Sequence, residues 1–282
     1  MRRILVTGAN KGIGFAIVQA ILNEHDDTFV YLGSRDKKRG DEAKAKLGAH
    51  ANRVEVLELD VANEASVQAA AKKVENLYAI VNNAGIGMGN GLTDTMKTNV
   101  LGIRHVCDAF LPRLDAKEGR IVNVTSAAGP SFVAKCSEDK QRFFLDASTK
   151  WETLRAFVDE CMAMGSDSAK FAAKGLSDGA AYGLSKACAN ALTLILAREH
   201  ANLRVNACTP GFIETDLTKP YVDSAGKSAK ELGMKTPAEG ARAPMHLLFG
   251  SLEGNGRYYG SDAKRSPLDR YRDPGSPAYD GP

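Results

Sequence analysis

Close-spaced cysteines are missing from this sequence. Its five, Cys107, Cys136, Cys161, Cys188 and Cys208, are scattered over 282 residues, with no CxxC and no histidine at metal-ligand spacing. That distribution argues against a disulfide-stapled extracellular module and against a structural metal centre, and leaves a reduced cytoplasmic protein without a metal as the expectation. No apolar run approaches the roughly 20 residues of a membrane span, and RILVT leaves too little chain ahead of Gly8 for a signal-peptide core. Charge of one sign is also absent: 37 basic residues face 34 acidic ones, with no basic run or basic–aromatic stripe. Neither nucleic acid nor a membrane is therefore an expected partner. No internal repeat is visible, and no linker divides the chain. At 44% hydrophobic and 25% charged, what remains is a globular chain long enough to bury a sizeable core.

What is present is a rhythm. RILVT, TFVYLGS, RVEVLEL, LYAIVN and RIVNVTS read as short buried strands, and helical patterns fill the intervals, including Gly12 to Glu24 and a charged helix over 37–48. Repeated βα units predict an α/β protein built on a parallel, doubly wound sheet. The rhythm breaks between Gly129 and Gly179, where KQRFFLDASTKWETLRAFVDECMAM is polar and partly helical without a strand signal. Residues 130–178 are read as a helical insertion in a single domain spanning 1–261. The pattern resumes with AAYGLSKACANAL, the strand LRVNACT, a helix after Pro237 and a short strand near RYYG. Residues 262–282, rich in Pro, Asp, Lys and Arg with no apolar period, are expected to form a mobile tail.

VTGANKGIGFAI follows the first strand and opens the first helix, the setting that a dinucleotide-binding loop requires. Gly8, Gly12 and Gly14 would let the backbone turn tightly, approach a pyrophosphate and pack helix on strand, while the helix start supplies N–H donors. The spacing is GxxxGxG rather than GxGxxG. The second strand ends LGSRD: Ser34 is small and neutral, Arg35 offers a fork to a phosphate, and Lys11 in the glycine loop adds a second charge. A 2′-phosphate is favoured, and with it NADP(H). Asp36 stays open between a helix cap and a ribose acceptor, and Asp60 between the adenine edge and a cap for the following helix. Tyr182 and Lys186 lie one i,i+4 step apart, so an ammonium on the same helix face would favour the phenolate and make Tyr182 a better proton donor. Alone, the pair also reads as a core-edge tyrosine with a lysine snorkelling past it.

Four further stretches fall in order: NNAG at 82–85, TNV at 98–100, VTSAAG at 124–129 and PGFIET at 210–215. Together with TGANKGIG and YGLSK they resemble the short-chain dehydrogenase/reductase family from residue 3 to about 260. The resemblance implies a Rossmann-like domain and a catalytic set of Asn99, Ser126, Tyr182 and Lys186. In those roles Ser126 polarises a substrate carbonyl and Tyr182 protonates the nascent alkoxide. Lys186 lowers the Tyr182 pKa and holds the nicotinamide ribose, and Asn99 holds a water linking Lys186 to solvent. It also implies a cofactor site made of Gly8, Asn10, Lys11, Gly12, Ile13 and Gly14, of Ser34, Arg35, Asp60 and Val61, of Asn83, Ala84 and Gly85, and of Pro210, Gly211, Ile213 and Thr215, joined by Tyr182 and Lys186. Thr215 would hold the nicotinamide carboxamide, cap the next helix, or both.

Ser126 and Tyr182 stand 56 positions apart, where most members of the family have about a dozen. A long insertion ahead of the YxxxK helix, with TGANKGIG and NACTPGFIETDL followed by KTPAEGA, resembles the carbonyl reductase branch. That likeness implies NADPH as cofactor, small-molecule aldehydes, ketones and quinones as substrates, and a monomer whose insertion covers the face used for assembly by shorter relatives. Phe143, Phe144, Trp151 and Phe157 would either line a substrate pocket or pack the insertion onto the body. An alcohol or steroid dehydrogenase running in the oxidising direction would use the same residues. A nucleotide-sensing regulator would not need an intact Asn-Ser-Tyr-Lys set.

Overall fold

The computed structural model describes residues 1–87, 89–165, 167–177 and 180–281. Seven parallel strands, β1 (Arg2–Val6), β2 (Thr28–Ser34), β3 (Val54–Glu58), β4 (Ala79–Asn82), β5 (Arg120–Val124), β6 (Arg204–Cys208) and β7 (Tyr258–Tyr259), lie in the order β3-β2-β1-β4-β5-β6-β7. Ile4 pairs with Val30 on one side and Ala79 on the other. The strand order therefore reverses between β1 and β4, which opens a crevice at their carboxyl ends. Strand alternation feeds two apolar layers. Leu5, Ile80, Ile121 and Val205 face one, while Ile4, Val6, Val81 and Val122 face the other.

The helices follow the βα rhythm: α1 (Gly12–Glu24), α2 (Lys37–Ala45), α3 (Glu64–Ala71), α4 (Leu92–Met96) and α5 (Gly102–Phe110), the last two joined by a π turn at Lys97–Leu101. Helix α6 (Ala128–Val133) leads into the insertion, which also carries α7 (Glu138–Leu145), α8 (Trp151–Met164) and α9 (Ser168–Ala173). Ser166, Asp178 and Gly179, which the sequence reading includes in or beside the insertion, lie outside the described residues. The long α10 (Ala181–Glu199) is followed by α11 (Lys219–Ala225), α12 (Pro237–Gly240) and α13 (Arg242–Phe249). Among the described residues no helix is long and apolar enough to cross a membrane.

Aromatic packing holds the insertion together, and helix packing ties it to the body. Phe143 and Phe144 lie 4.7 and 5.6 Å, centroid to centroid, from Phe157, and Phe144 meets Phe132 at 6.2 Å. Helix α8 packs on α10 and α4, and Arg104 of α5 lies over the Trp151 ring at 5.2 Å while donating to Glu199 of α10 at 2.7 Å.

The expected mobile tail over 262–282 needs correction for residues 262–281, which fold back onto the body. Arg272 pairs with Asp262 at 2.5 Å with both side chains nearly buried, and also donates to Ser266 Oγ at 2.9 Å and to the Ser276 carbonyl at 3.0 Å. Tyr279 N donates to the Arg265 carbonyl at 2.9 Å. A polar network holds this segment, so an apolar period is no guide to its order.

Candidate active site

The glycine loop leaves β1 and enters α1 at the crevice. Gly8 has φ +61°, and a Cβ there would stand 2.9 Å from Ala84 Cα; a Cβ on Gly14 would stand 2.5 Å from the Gly8 carbonyl oxygen. Only glycine keeps this cradle open. Thr7, which sequence reasoning missed for want of any motif, fixes the opposite wall: its hydroxyl accepts from Asn83 N and Ala84 N, each at 3.0 Å. Asn83 Nδ2 returns to the Thr7 and Gly8 carbonyls at 2.9 and 3.2 Å.

These loops border a cleft of about 780 Å³ lined by Gly8, Asn10, Lys11, Gly12, Ile13, Gly14, Arg35, Asp60, Val61, Asn83, Ala84, Gly85 and Thr215. Six of the expected cofactor residues do not line it, Tyr182 and Lys186, described below, among them. Ser34 is buried and its Oγ donates to the Asp36 carbonyl at 2.7 Å. Pro210 and Ile213 are buried, and Gly211 borders a second cavity.

The open alternatives resolve locally. Asp36 caps α2, accepting from Arg39 N at 3.0 Å. Arg35, exposed in the cleft wall, has no carboxylate partner among the described residues. Asp60 does not cap α3: Asn63 does, accepting from Ser66 N at 3.2 Å, while Asp60 Oδ1 turns to Ala62 N. Thr215 does not cap α11, whose cap position is Thr218, and instead faces Gly12 across the cleft. Lys11 pairs with Asp216.

The four catalytic candidates converge where β4, β5 and α10 meet. Asn99, in the middle of the π turn, accepts from Ile86 N at 2.9 Å and donates to the Ile86 carbonyl at 2.9 Å and to Ser185 Oγ at 3.0 Å. Ser185, whose role the YxxxK pattern does not specify, donates its own hydroxyl to the Tyr182 carbonyl at 2.8 Å. A π turn adds a residue to one turn and so aims one side chain out of helical phase, a device common at functional sites. Lys186 Nζ donates to the Val124 carbonyl at 3.2 Å and lies 5.6 Å from the centroid of the Tyr182 ring. The Ser126 hydroxyl lies beside the Tyr182 phenol and accepts from Ala128 N at 3.2 Å.

One expectation changes sign. Burial pushes the Tyr182 phenol above its ordinary pKa, and the neighbouring Ser126 hydroxyl pulls only partly the other way. The lysine lies over the ring, and burial pushes its own pKa down to about 8. A desolvated ammonium gives up its proton more easily than one in water. The site thus holds a phenol kept protonated by burial, with a serine beside it, next to a lysine whose pKa is pushed down to about 8.

Two family profiles match the chain: short chain dehydrogenase over residues 2–137 and enoyl-(acyl carrier protein) reductase over 160–245. It is 34% identical over 272 residues to carbonyl reductase (NADPH) 3 of Rattus norvegicus, across 88% of this chain and 91% of that one. Against carbonyl reductase (NADPH) 1 of Mus musculus it is 34% identical over 285 residues, across 93% and 97%. Salutaridine reductase from Papaver somniferum superposes with a TM-score of 0.76 at 25% identity, over 92% of this chain and 99% of that structure. Menthone neomenthol reductase from Mentha piperita gives 0.71 at 26% identity, over 92% and 98%. With its glycine cradle, its reversal of strand order and this span of likeness, the chain belongs to the short-chain dehydrogenase/reductase family.

Proposed function

We propose that the protein reduces aldehydes, ketones and quinones to alcohols with NADPH, Tyr182 giving the proton. The observation that carries this reading is the grouping of the Tyr182 phenol with Ser126 beside it and the buried Lys186, whose Nζ lies 5.6 Å from the Tyr182 ring centroid. The glycine cradle fits a dinucleotide: its Cβ-free walls leave room for a pyrophosphate, and Arg35 and Lys11, which line the same cleft, would hold a 2′-phosphate. When bound, the nicotinamide supplies the hydride.

The chain's own residues then handle oxygen and proton. A carbonyl oxygen between Ser126 and Tyr182 accepts from both hydroxyls, which orients it and stabilises the negative charge that builds there. Burial keeps Tyr182 protonated until that charge appears, so the proton leaves only when the alkoxide draws it. Lys186, protonated at neutral pH, favours the phenolate left behind, and its Nζ would stand 3.6 Å from a Cβ on Gly85 of the cleft wall. Asn99, clamped to both backbone groups of Ile86, holds the Ser185 hydroxyl that meets the start of α10.

The relatives named as NADPH carbonyl reductases support the cofactor and the reaction. Burial of all five cysteines as free thiols suits a reducing, cytoplasmic setting, and the insertion on α10 and α4 suits a monomer. A panel of NADPH-oxidation assays over quinones, aromatic aldehydes and ketones tests the reading. Turnover of at least one class is expected, and absence of turnover across the panel would refute it.

A further inference from the structure

A second cavity, of about 370 Å³, has Ser126 in its wall, and its remaining lining comes largely from β7, the segment around 211–235 and the tail at 266–274. Three properties set it apart. Its charged lining residues are all basic: Lys235, Arg270 and Arg272, with no acidic side chain among them. Arg272 is committed to Asp262, Ser266, Asp273 and Ser276. Arg270 spends only Nη1 on its neighbour Asp269, at 3.0 and 3.1 Å, while lying 5.5 Å from the Tyr279 ring.

Secondly, Phe212 and Tyr271 contribute to the lining although both are large rings with substantial solvent exposure, 42% and 52%. Exposed aromatics at a cavity are poor folding contacts and good covers for an apolar ligand. Thirdly, Tyr258 is 5% exposed and lines the cavity, yet its hydroxyl, although beside Thr209, makes no hydrogen bond of good geometry. A buried donor without a partner costs free energy that a ligand oxygen would recover.

We propose that this cavity selects carbonyl compounds carrying a carboxylate on a planar apolar body, with Arg270 and Lys235 attracting the carboxylate, Phe212 and Tyr271 covering the body, and the Tyr258 hydroxyl donating to a substrate oxygen. This selection rests on the reading of Ser126 and Tyr182 given above. It assigns the tail a part in substrate choice, because Asp262 and Arg272 hold the segment that carries Arg270 and Tyr271.

The test compares kcat/KM at saturating NADPH for 4-formylbenzoate and its methyl ester, which differ only in charge and the ester methyl. The wild type should prefer the acid by about tenfold, the scale of one charge-assisted contact at a partly solvated site. The acid-to-ester ratio should collapse in Arg270→Ala and Lys235→Ala, recover in Arg270→Lys, and shrink with added salt. Tyr258→Phe should lower kcat/KM for both substrates. Calorimetric titration of the non-reacting 4-methylbenzoate into the NADP-loaded enzyme reads the anion site without turnover. If both aldehydes are reduced with no preference for the acid, or with a preference unmoved by Arg270 and Lys235, the selection is wrong and the reductase reading stands. If neither aldehyde reacts but 4-methylbenzoate binds in an Arg270-dependent way, the site stands and the reductase reading is the one at risk. Failure of 4-methylbenzoate to bind, together with no acid preference, overturns the proposal.

Discussion

Lys11 Nζ stands 2.5 Å from Asp216 Oδ2, joining the glycine loop to the segment after β6 at the dinucleotide cleft, which both residues line. The pair is largely solvated, with side-chain exposures of 57% and 72%, so it contributes about 0–1 kcal/mol at most. A phosphate entering the cleft competes with Asp216 for that ammonium. Asp216→Asn should therefore lower the KM for NADPH by up to about fivefold with little change in kcat. Fluorescence titration of NADPH checks it, and weaker binding in the variant would mean that the pair holds the loop open for the cofactor.

Arg35 is expected to carry the larger share of cofactor choice. Asp36 is occupied by the backbone of α2, which leaves the guanidinium free to take a 2′-phosphate. Removing a charge-assisted bond worth about 1.5–3 kcal/mol should raise the KM for NADPH roughly 10–100-fold in Arg35→Ala. NADH has no such phosphate and should be barely affected. Parallel steady-state kinetics with both cofactors decide the matter, and equal losses would remove Arg35 from the specificity argument.

Tyr182→Phe keeps the ring under Lys186 and deletes the proton. Turnover should fall about 10²–10⁴-fold while the Kd for NADPH stays within a factor of a few. Near-normal ketone reduction by the variant would mean that another group gives the proton.

Lys186 predicts a trade of activity against stability. Its pKa falls to about 8 in the folded protein against an ordinary value of 10.5. The folded state therefore resists protonation that the unfolded chain accepts. The resulting cost is fully present below about pH 8 and is relieved as pH rises toward 10.5. Lys186→Met should raise Tm at pH 7 by an amount on the order of 1–3 kcal/mol in stability, part of the gain being offset by the lost bond to Val124 O. The advantage should shrink by pH 10, and activity should be lost throughout. Thermal melts across that pH range test it. In the wild type, NADPH affinity should weaken as pH passes 8, since the ammonium then loses its charge.

Trp151 and Phe157 predict the state of assembly. With α8 laid on α4 and α10, the apolar stripe of those helices is covered within one chain. Light scattering after size exclusion should give about 30.1 kDa, and excision of the insertion should produce association or aggregation. A stable wild-type dimer at micromolar concentration would return the insertion to a purely pocket-forming role.

Features set by local chemistry were legible in advance. Helix α1 runs from Gly12 to Glu24 as its apolar period demands, and Tyr182 meets Lys186 because the i,i+4 step leaves them no other face. Single residues whose roles depend on distant partners were not. Thr7 matters through Asn83, Ser185 through Asn99, and Tyr258 through a cavity walled by the tail. The tail itself was misjudged because Arg272 and Asp262 replace the apolar repeat that marks order in a sequence. The Tyr182 pKa was misjudged because spacing shows that a charge is near and says nothing of how much water has been removed.

The π turn at Lys97–Leu101 ties the site to the core through phase. One residue more than an α-helical path requires is spent there, and each residue of helix advances the azimuth by about 100°. Loss of one residue in the turn would return the path to an ordinary α turn, leaving α5 and its buried Val106, Cys107 and Phe110 in phase while swinging Asn99 off the Ile86 backbone. Length, more than composition, is the quantity this stretch has to preserve.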